Sequence, residues 1–79
     1  MALLGRNVSF WREARGLTLL ALAARSGLTA DTLRGIEQGQ HDASVDMLDR
    51  LAEALGVTHQ QLLARTIMGG LSVDNAAKF

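Results

Sequence analysis

The amino-acid sequence predicts an all-helical domain of five helices followed by a short C-terminal tail. The chain has 79 residues and nearly half of them are hydrophobic, which is enough for one packed core. No proline interrupts it, and glycine followed closely by threonine or serine recurs at short intervals. A glycine can end a helix in the left-handed conformation and a hydroxyl side chain can cap the next one, so this pattern indicates short helices joined by tight turns.

Four glycine-containing breaks divide the sequence into the five predicted helices. The helices are expected from Leu3 to Arg15, after Thr18 to Ser26, after Thr29 to about Gln38, after Ser44 to Leu55, and after Thr58 to Arg65. Within each helix, apolar residues recur at the spacing of one helical face. Each helix therefore has one side that can pack inward.

The first two helices show this spacing clearly. Leu4, Val8 and Trp11 form the inward stripe of the first helix. Leu22 and Ala23 turn inward from the second, and Ala23 is small enough to let the third helix approach closely. We expect all five side chains in the core.

The third and fourth helices add the larger part of the apolar surface. Leu33 and Ile36 turn inward from the third helix. The fourth helix has a complete i, i+3, i+4, i+7 stripe, formed by Leu48, Leu51, Ala52 and Leu55. This regularity makes the fourth helix the clearest prediction in the chain.

The fifth helix begins with a recognisable start signal. Thr58 and Gln61 are spaced as a capping box, in which each side chain bonds a backbone amide of the first turn. Leu62 and Leu63 are expected to turn inward, and the helical pattern ends after Arg65.

Beyond the fifth helix, an Ile-Met-Gly-Gly segment at 67–70 marks a boundary. We therefore expect residues 1–66 to form the domain and residues 67–79 to form a C-terminal tail. The tail keeps several apolar side chains, namely Ile67, Met68, Leu71 and Val73. These residues make it a candidate segment for joining two copies in a homodimer.

The second, third and fourth helices carry a family resemblance. The matching positions are Arg12 to Thr18, Leu22, Ala23, Gly27 to Thr29, Leu33, Ile36, Glu37, Gly39, Ser44 to Thr58, Leu62 and Leu63. Together they resemble the Cro/repressor-like (Xre-type) helix-turn-helix family, over about residues 3–65. The turn between the second and third helices also has its own physical reason, since Gly27 can adopt the positive φ that a tight turn needs.

The resemblance implies a bacterial-type transcriptional regulator that binds double-stranded DNA with its third helix in the major groove. A single domain reads only a few base pairs, so we expect a homodimer on a two-fold site. Carried over to this sequence, the residues that face bases are Thr29, Ala30, Asp31, Thr32, Arg34 and Gly35. The resemblance places phosphate contacts near Thr18 and Leu19 and in the loop after the third helix, at Gln38, Gln40 and His41. Arg34 is the principal candidate, because a guanidinium can bind guanine through two hydrogen bonds or hold a phosphate. Thr29 has a second role open to it, as the N-cap of the third helix. Gly35 offers no side chain to read a base.

The resemblance also implies a structural ion pair. Arg12 on the first helix and Glu37 at the end of the third match positions that are joined in the family. We expect the two side chains to be in contact and mostly buried.

Three features favour a different function, a protein-binding module of the antitoxin or adaptor kind. The eight basic and eight acidic residues cancel, whereas DNA-binding domains usually carry a basic excess. Leu19 and Leu20 stand where the family usually has polar residues, and Phe10 adds an aromatic side chain on the first helix. An apolar patch at these residues would suit a protein partner, whereas Arg15, Arg25 and Arg34 favour DNA.

Enzymatic, metal-binding and membrane functions have little support. The chain has no cysteine, and His41 and His59 lie on different segments, so we expect no catalytic site, no metal site and no cofactor. The longest apolar stretch, Leu17 to Ala24, is far shorter than the ~20 residues of a membrane-spanning helix. Together with the absence of cysteine, this predicts a cytoplasmic protein.

Overall fold

A computed structural model of the protein describes residues 2–65 and confirms the five predicted helices in that range. They are α1 (Ala2–Ala14), α2 (Leu19–Ser26), α3 (Ala30–Glu37), α4 (Val45–Leu55) and α5 (His59–Leu62). The predicted tail at residues 67–79, with its boundary, lies outside the described residues. Among the described residues, no helix is long and apolar enough to cross a membrane.

The capping residues read from the sequence begin the last four helices. These N-cap residues are Thr18, Thr29, Ser44 and Thr58. Each side chain accepts a hydrogen bond from the backbone amide three residues later. At Thr58 the reciprocal bond from Gln61 completes the predicted capping box. These bonds satisfy amides that the first turn of a helix leaves unpaired, which is why the local sequence fixes where each helix begins.

The core lies among the five helices, with α1 packed mainly on α3, α2 packed on both α3 and α4, and α5 packed on α4 and α1. Its fully or nearly fully buried apolar residues are Leu4, Val8, Leu22, Ala23, Leu33, Ile36, Leu51, Ala52, Leu55 and Leu62. Trp11 and Leu48 pack against this cluster and remain partly exposed. The helical stripes of the sequence therefore correspond closely to the core.

The end of α5 differs from the prediction. Leu62 is fully buried, but Leu63 keeps 42% of its surface exposed, so its predicted inward orientation is wrong. The reason is Asn7, a buried residue of α1 whose side-chain amide donates to the carbonyls of Leu62 (2.6 Å) and Ala64 (2.7 Å). These two bonds hold the chain at the end of α5, which is only one turn long. Leu63 therefore lies outside the packed face.

A close approach between α1 and α3 was not apparent from the sequence. A Cβ atom at Gly5 would overlap the carbonyl oxygen of Ile36 and stand 2.7 Å from that of Glu37. Gly5 is buried there, so α1 touches the last turn of α3 backbone against backbone. This contact fixes the end of α3 relative to the rest of the domain.

Candidate nucleic-acid interface

The turn between α2 and α3 sets the angle at which α3 leaves the domain. Gly27 adopts φ 77°, the left-handed conformation expected of it, and its amide bonds the carbonyl of Ala23. The buried side chain of Ser26 donates to the carbonyl of Leu22 (2.8 Å) and accepts from the amide of Leu28 (3.3 Å). The turn is thus held by side-chain as well as backbone bonds, and α3 cannot pivot freely on α2.

Helix α3 has one buried and one exposed face. Leu33 and Ile36 are fully buried in the core. Asp31, Arg34 and Gln38 are exposed on the other side of the helix. A short helix with a polar outward face, held rigidly on its inner side, has the form of an element that enters a DNA major groove.

The threonines at the start of α3 are engaged with each other. The Thr29 hydroxyl accepts a hydrogen bond from the Thr32 amide (3.1 Å) and donates to the Thr32 hydroxyl (2.9 Å). Thr29 therefore acts as the N-cap. The Thr32 hydroxyl keeps one lone pair and its proton for other bonds.

Arg34 forms an ion pair within α3. Its Nη1 lies 2.8 Å from Oδ1 of Asp31, one turn earlier. The two side chains are 54% and 93% exposed, so solvent screens their attraction and the pair contributes little to stability. A DNA base or phosphate could therefore take the Arg34 guanidinium from Asp31 at a small free-energy cost.

The other predicted DNA-binding residues lie on α3 or at helix ends. Thr18 is the exposed N-cap of α2, and Ala30 is partly buried against the core. Gln38 is the exposed C-cap of α3, and Gln40 is exposed in the following loop, where its amide donates to the carbonyl of Gly35 (2.8 Å). Most of the predicted residues thus lie within α3 or at its ends, Gln40 follows it in the loop, and Thr18 caps α2.

Arg12 and Glu37 form an ion pair with two hydrogen bonds. The distances are 2.7 Å from Nε to Oε2 and 3.2 Å from Nη2 to Oε1. The side chains are only 17% and 13% exposed, and Nη1 of Arg12 also donates to the carbonyl of Leu17 (2.9 Å). The hydrogen bonds that Arg12 donates to Glu37 raise the pKa of its guanidinium, outweighing the effect of burial. The pair ties the end of α3 to α1 and to the loop before α2.

Two other arginines, both exposed, bond backbone carbonyls at the end of α4. Arg15 donates from Nε to the carbonyl of Leu55 (2.8 Å), at the end of α4, and its guanidinium lies 5.1 Å from the Trp11 ring centroid. Arg25 reaches the carbonyl of Ala54 at 3.5 Å. Both thus interact with the negative end of the α4 dipole. Both side chains remain exposed, and their contribution to DNA binding stays a prediction.

The two leucines expected to form an apolar patch on α2 differ in exposure. Leu19 packs against the core, whereas Leu20 is 71% exposed. Phe10 is partly exposed on α1 and stacks edge-on against Trp11, with ring centroids 5.2 Å apart. Leu19 replaces a polar residue of the family with a side chain that is already partly buried by the protein itself, so less of the expected patch is open to a protein partner.

The described residues offer no site for a metal ion. Within residues 2–65, no three side chains of the histidine, aspartate and glutamate type come together as a candidate ligand set. His59 lies instead against Asp49 of α4, with 2.6 Å between Nε2 and Oδ1.

Known proteins share both the sequence pattern and the arrangement of helices. Residues 10–62 match the helix-turn-helix family. An uncharacterized HTH-type transcriptional regulator of Sinorhizobium fredii is 39% identical over 64 residues, which are 81% of this chain and 83% of that protein. The restriction-modification controller protein C.AhdI of Aeromonas hydrophila has a TM-score of 0.75 and 33% identity, covering 77% of this chain and 92% of that one. The clp gene regulator ClgR of Corynebacterium glutamicum has a TM-score of 0.78 and 26% identity, over 98% of this chain and 81% of that one.

Proposed function

The chain belongs to the Cro/repressor-like (Xre-type) helix-turn-helix family, and we propose on this premise that it is a transcriptional regulator that reads a DNA major groove with α3. The main support for the proposal is that the two faces of α3 have different environments. Its inner face is fixed by the core, by the Arg12–Glu37 pair and by the Gly27 turn, while its outer face is polar and exposed. A groove about 12 Å wide admits a helix presented in this way.

Arg34 is the residue to which we assign the main DNA contact. It is the one basic residue within α3, and its partner Asp31 is an exposed carboxylate that solvent screens. A guanidinium that leaves such a pair can form two hydrogen bonds to guanine, which a single exposed carboxylate does not rival in strength. Thr32 and Thr29 at the start of the helix support the contact.

The neutral net charge has consequences for how the protein binds. Three of its acidic residues, Asp46, Asp49 and Glu53, are exposed on α4 rather than on α3. With no net positive charge to neutralise phosphates, sequence-independent affinity is expected to be low, and contacts made by α3 carry a larger share of the binding energy.

The test compares two arginines in matched surroundings. Arg34 and Arg50 are both about half exposed, and both pair with an aspartate of their own helix at 2.8 Å, but only Arg34 belongs to α3. After selection of a preferred duplex from a randomised library, Arg34→Ala should weaken binding by ~1–3 kcal/mol per subunit and relax the preference at one base pair. Arg50→Ala should leave both unchanged. Binding that is insensitive to Arg34→Ala would contradict the proposal.

A uniform loss on all sequences would assign Arg34 to a phosphate instead. In that case the slope of log affinity against log salt should become shallower by about one for Arg34→Ala. Titration with salt therefore distinguishes the two roles of the same side chain.

We further propose that the protein acts as a homodimer joined through α5 and residues 67–79. A single domain reads only a few base pairs, and two copies related by a two-fold axis read half-sites about one helical turn apart. In support, Leu63 leaves a large apolar side chain exposed directly after α5. The tail that follows is apolar at Ile67, Met68, Leu71 and Val73.

A further inference from the structure

Gly35 is buried although it lies on the outward face of α3. It is four residues after Asp31 and three before Gln38, so it shares their side of the helix, and both of those residues are exposed. A glycine at such a position would ordinarily be open to solvent. Here the imidazole of His41 covers it.

The loop after α3 brings His41 to this place. Gly39 adopts φ 76°, a left-handed conformation that reverses the chain at the end of the helix. The amides of Gln40 and His41 then both donate to the carbonyl of Gly35, at 2.8 and 3.1 Å. The loop therefore runs back along α3, and its anchor is the backbone of Gly35.

The imidazole occupies the space that a side chain at position 35 would need. A Cβ atom built on Gly35 would overlap Cδ2 of His41 and stand 2.7 Å from Nε2 and 2.8 Å from Cγ. Any residue larger than glycine would displace the ring. The position of the His41 ring thus depends on the absence of a side chain at Gly35.

His41 places hydrogen-bonding groups at the position of α3 where Gly35 has no side chain. His41 remains exposed while it covers Gly35, so part of its ring faces away from the helix. Each nitrogen of an imidazole can donate or accept a hydrogen bond. The edge that carries Cδ2 and Nε2 lies against Gly35, so Nδ1 is the nitrogen offered to the edge of a base. Because the ring covers Gly35, it lies on the outward face that Gly35 shares with Asp31 and Gln38. Groups on that face of a helix in the major groove meet base edges, whereas phosphates flank it.

We propose that His41 contacts a base edge in the major groove, taking the place of the side chain that Gly35 lacks. The proposal rests on the function proposed above, with α3 in the groove. It makes His41 a specificity-determining residue supplied by a loop, and it makes Gly35 the residue that positions His41.

The experiment measures base preference at every position of the duplex selected by the wild-type protein from a randomised library. His41→Ala should reduce the preference at one base pair of each half-site by ~5- to 150-fold, and the other positions should keep theirs. Gly35→Ala should change the same base pair, because its methyl group displaces the imidazole. The double variant should be no worse than either single variant, because both remove one contact.

His59→Ala is the matched control, since it removes the histidine that binds Asp49 on α4. Its base preference should equal that of the wild-type protein. A second readout needs no DNA: in the free protein, a nuclear Overhauser effect should join the Hδ2 proton of His41 to the Hα protons of Gly35, and Gly35→Ala should reduce the same contact.

Three results would overturn the inference. The first is an unchanged base preference in His41→Ala, and the second is an equal loss of affinity on all sequences, which indicates a phosphate contact. The third is absence of the Overhauser effect. If the wild-type protein selects no duplex at low salt, the proposed function fails and this inference falls with it, so the two failures are distinguishable.

Discussion

At the residue scale, the Arg12 guanidinium is the most connected side chain of the site. It donates to both oxygens of Glu37 and to the carbonyl of Leu17, and so joins α1, α3 and the loop before α2. Because the ion pair is mostly withdrawn from water, removal of one partner leaves the other charged and poorly solvated. The position of α3 therefore depends on a pair that does not itself face the exposed surface.

Glu37→Gln is expected to lower the free energy of unfolding by about 3 kcal/mol, because Arg12 keeps its charge and loses its counterion. Replacing both residues, as in Arg12→Met with Glu37→Leu, should restore part of that loss. The measurement is unfolding in urea, with Asp31→Asn as the control, since that change breaks an exposed pair and should have a much smaller effect. Equal effects of Glu37→Gln and Asp31→Asn would show that burial of the pair does not matter.

At the element scale, two glycines control what touches α3. Gly5 allows the backbone of α1 to contact the carbonyls of Ile36 and Glu37, whereas Gly35 allows the His41 ring to lie on the opposite side of the helix. The two neighbours differ in how they can respond. Backbone atoms inside a packed helix can move only with the helix, but an exposed imidazole can rotate away.

Substituting alanine at the two glycines should therefore have opposite effects on stability. Gly5→Ala forces α1 and α3 apart and should destabilise the fold by ~1–3 kcal/mol, as overpacking does. Gly35→Ala should leave stability unchanged or raise it by up to about 1 kcal/mol, since alanine favours a helix interior more than glycine. Thermal unfolding of the two variants checks this. A Gly5→Ala protein as stable as the wild type would contradict the close packing of α1 on α3.

At the scale of the whole molecule, the exposed apolar residues are candidates for an interface. Leu20 on α2 is 71% exposed, and Leu63 after α5 is 42% exposed. The two leucines lie on different helical segments, so they can be tested separately. The homodimer proposed above uses Leu63, whereas the protein-binding module considered from the sequence would use Leu20.

Leu63→Ser is expected to weaken self-association, and removal of residues 67–79 should weaken it further. Leu20→Ser is the matched control and should leave the assembly unchanged. Sedimentation equilibrium over a range of protein concentrations measures the dissociation constant of the dimer in each variant. A monomer mass that does not depend on concentration, and does not change without the tail, would contradict the dimer.

The sequence by itself determined the helices, most of the core and the family. The starts of α2 to α5 follow from Thr18, Thr29, Ser44 and Thr58, because a capping bond spans only three residues and is visible in local sequence. The buried leucines follow from helical periodicity, because a helix with one apolar face has one way to hide it. The assignment of residues within α3 to DNA binding comes from the family resemblance and stays a prediction, which agrees with the exposure of Asp31 and Arg34 on the face away from Leu33 and Ile36.

Only the tertiary structure decided which side chains are free and which are already bound. Asn7 ends α5 across 55 residues of sequence, and Arg15 binds the carbonyl of Leu55 across 40. His41 covers Gly35 because a loop reverses direction, which no periodicity records. Such contacts join segments whose relative position depends on the whole packed core, so the sequence near each residue carries no sign of its partner.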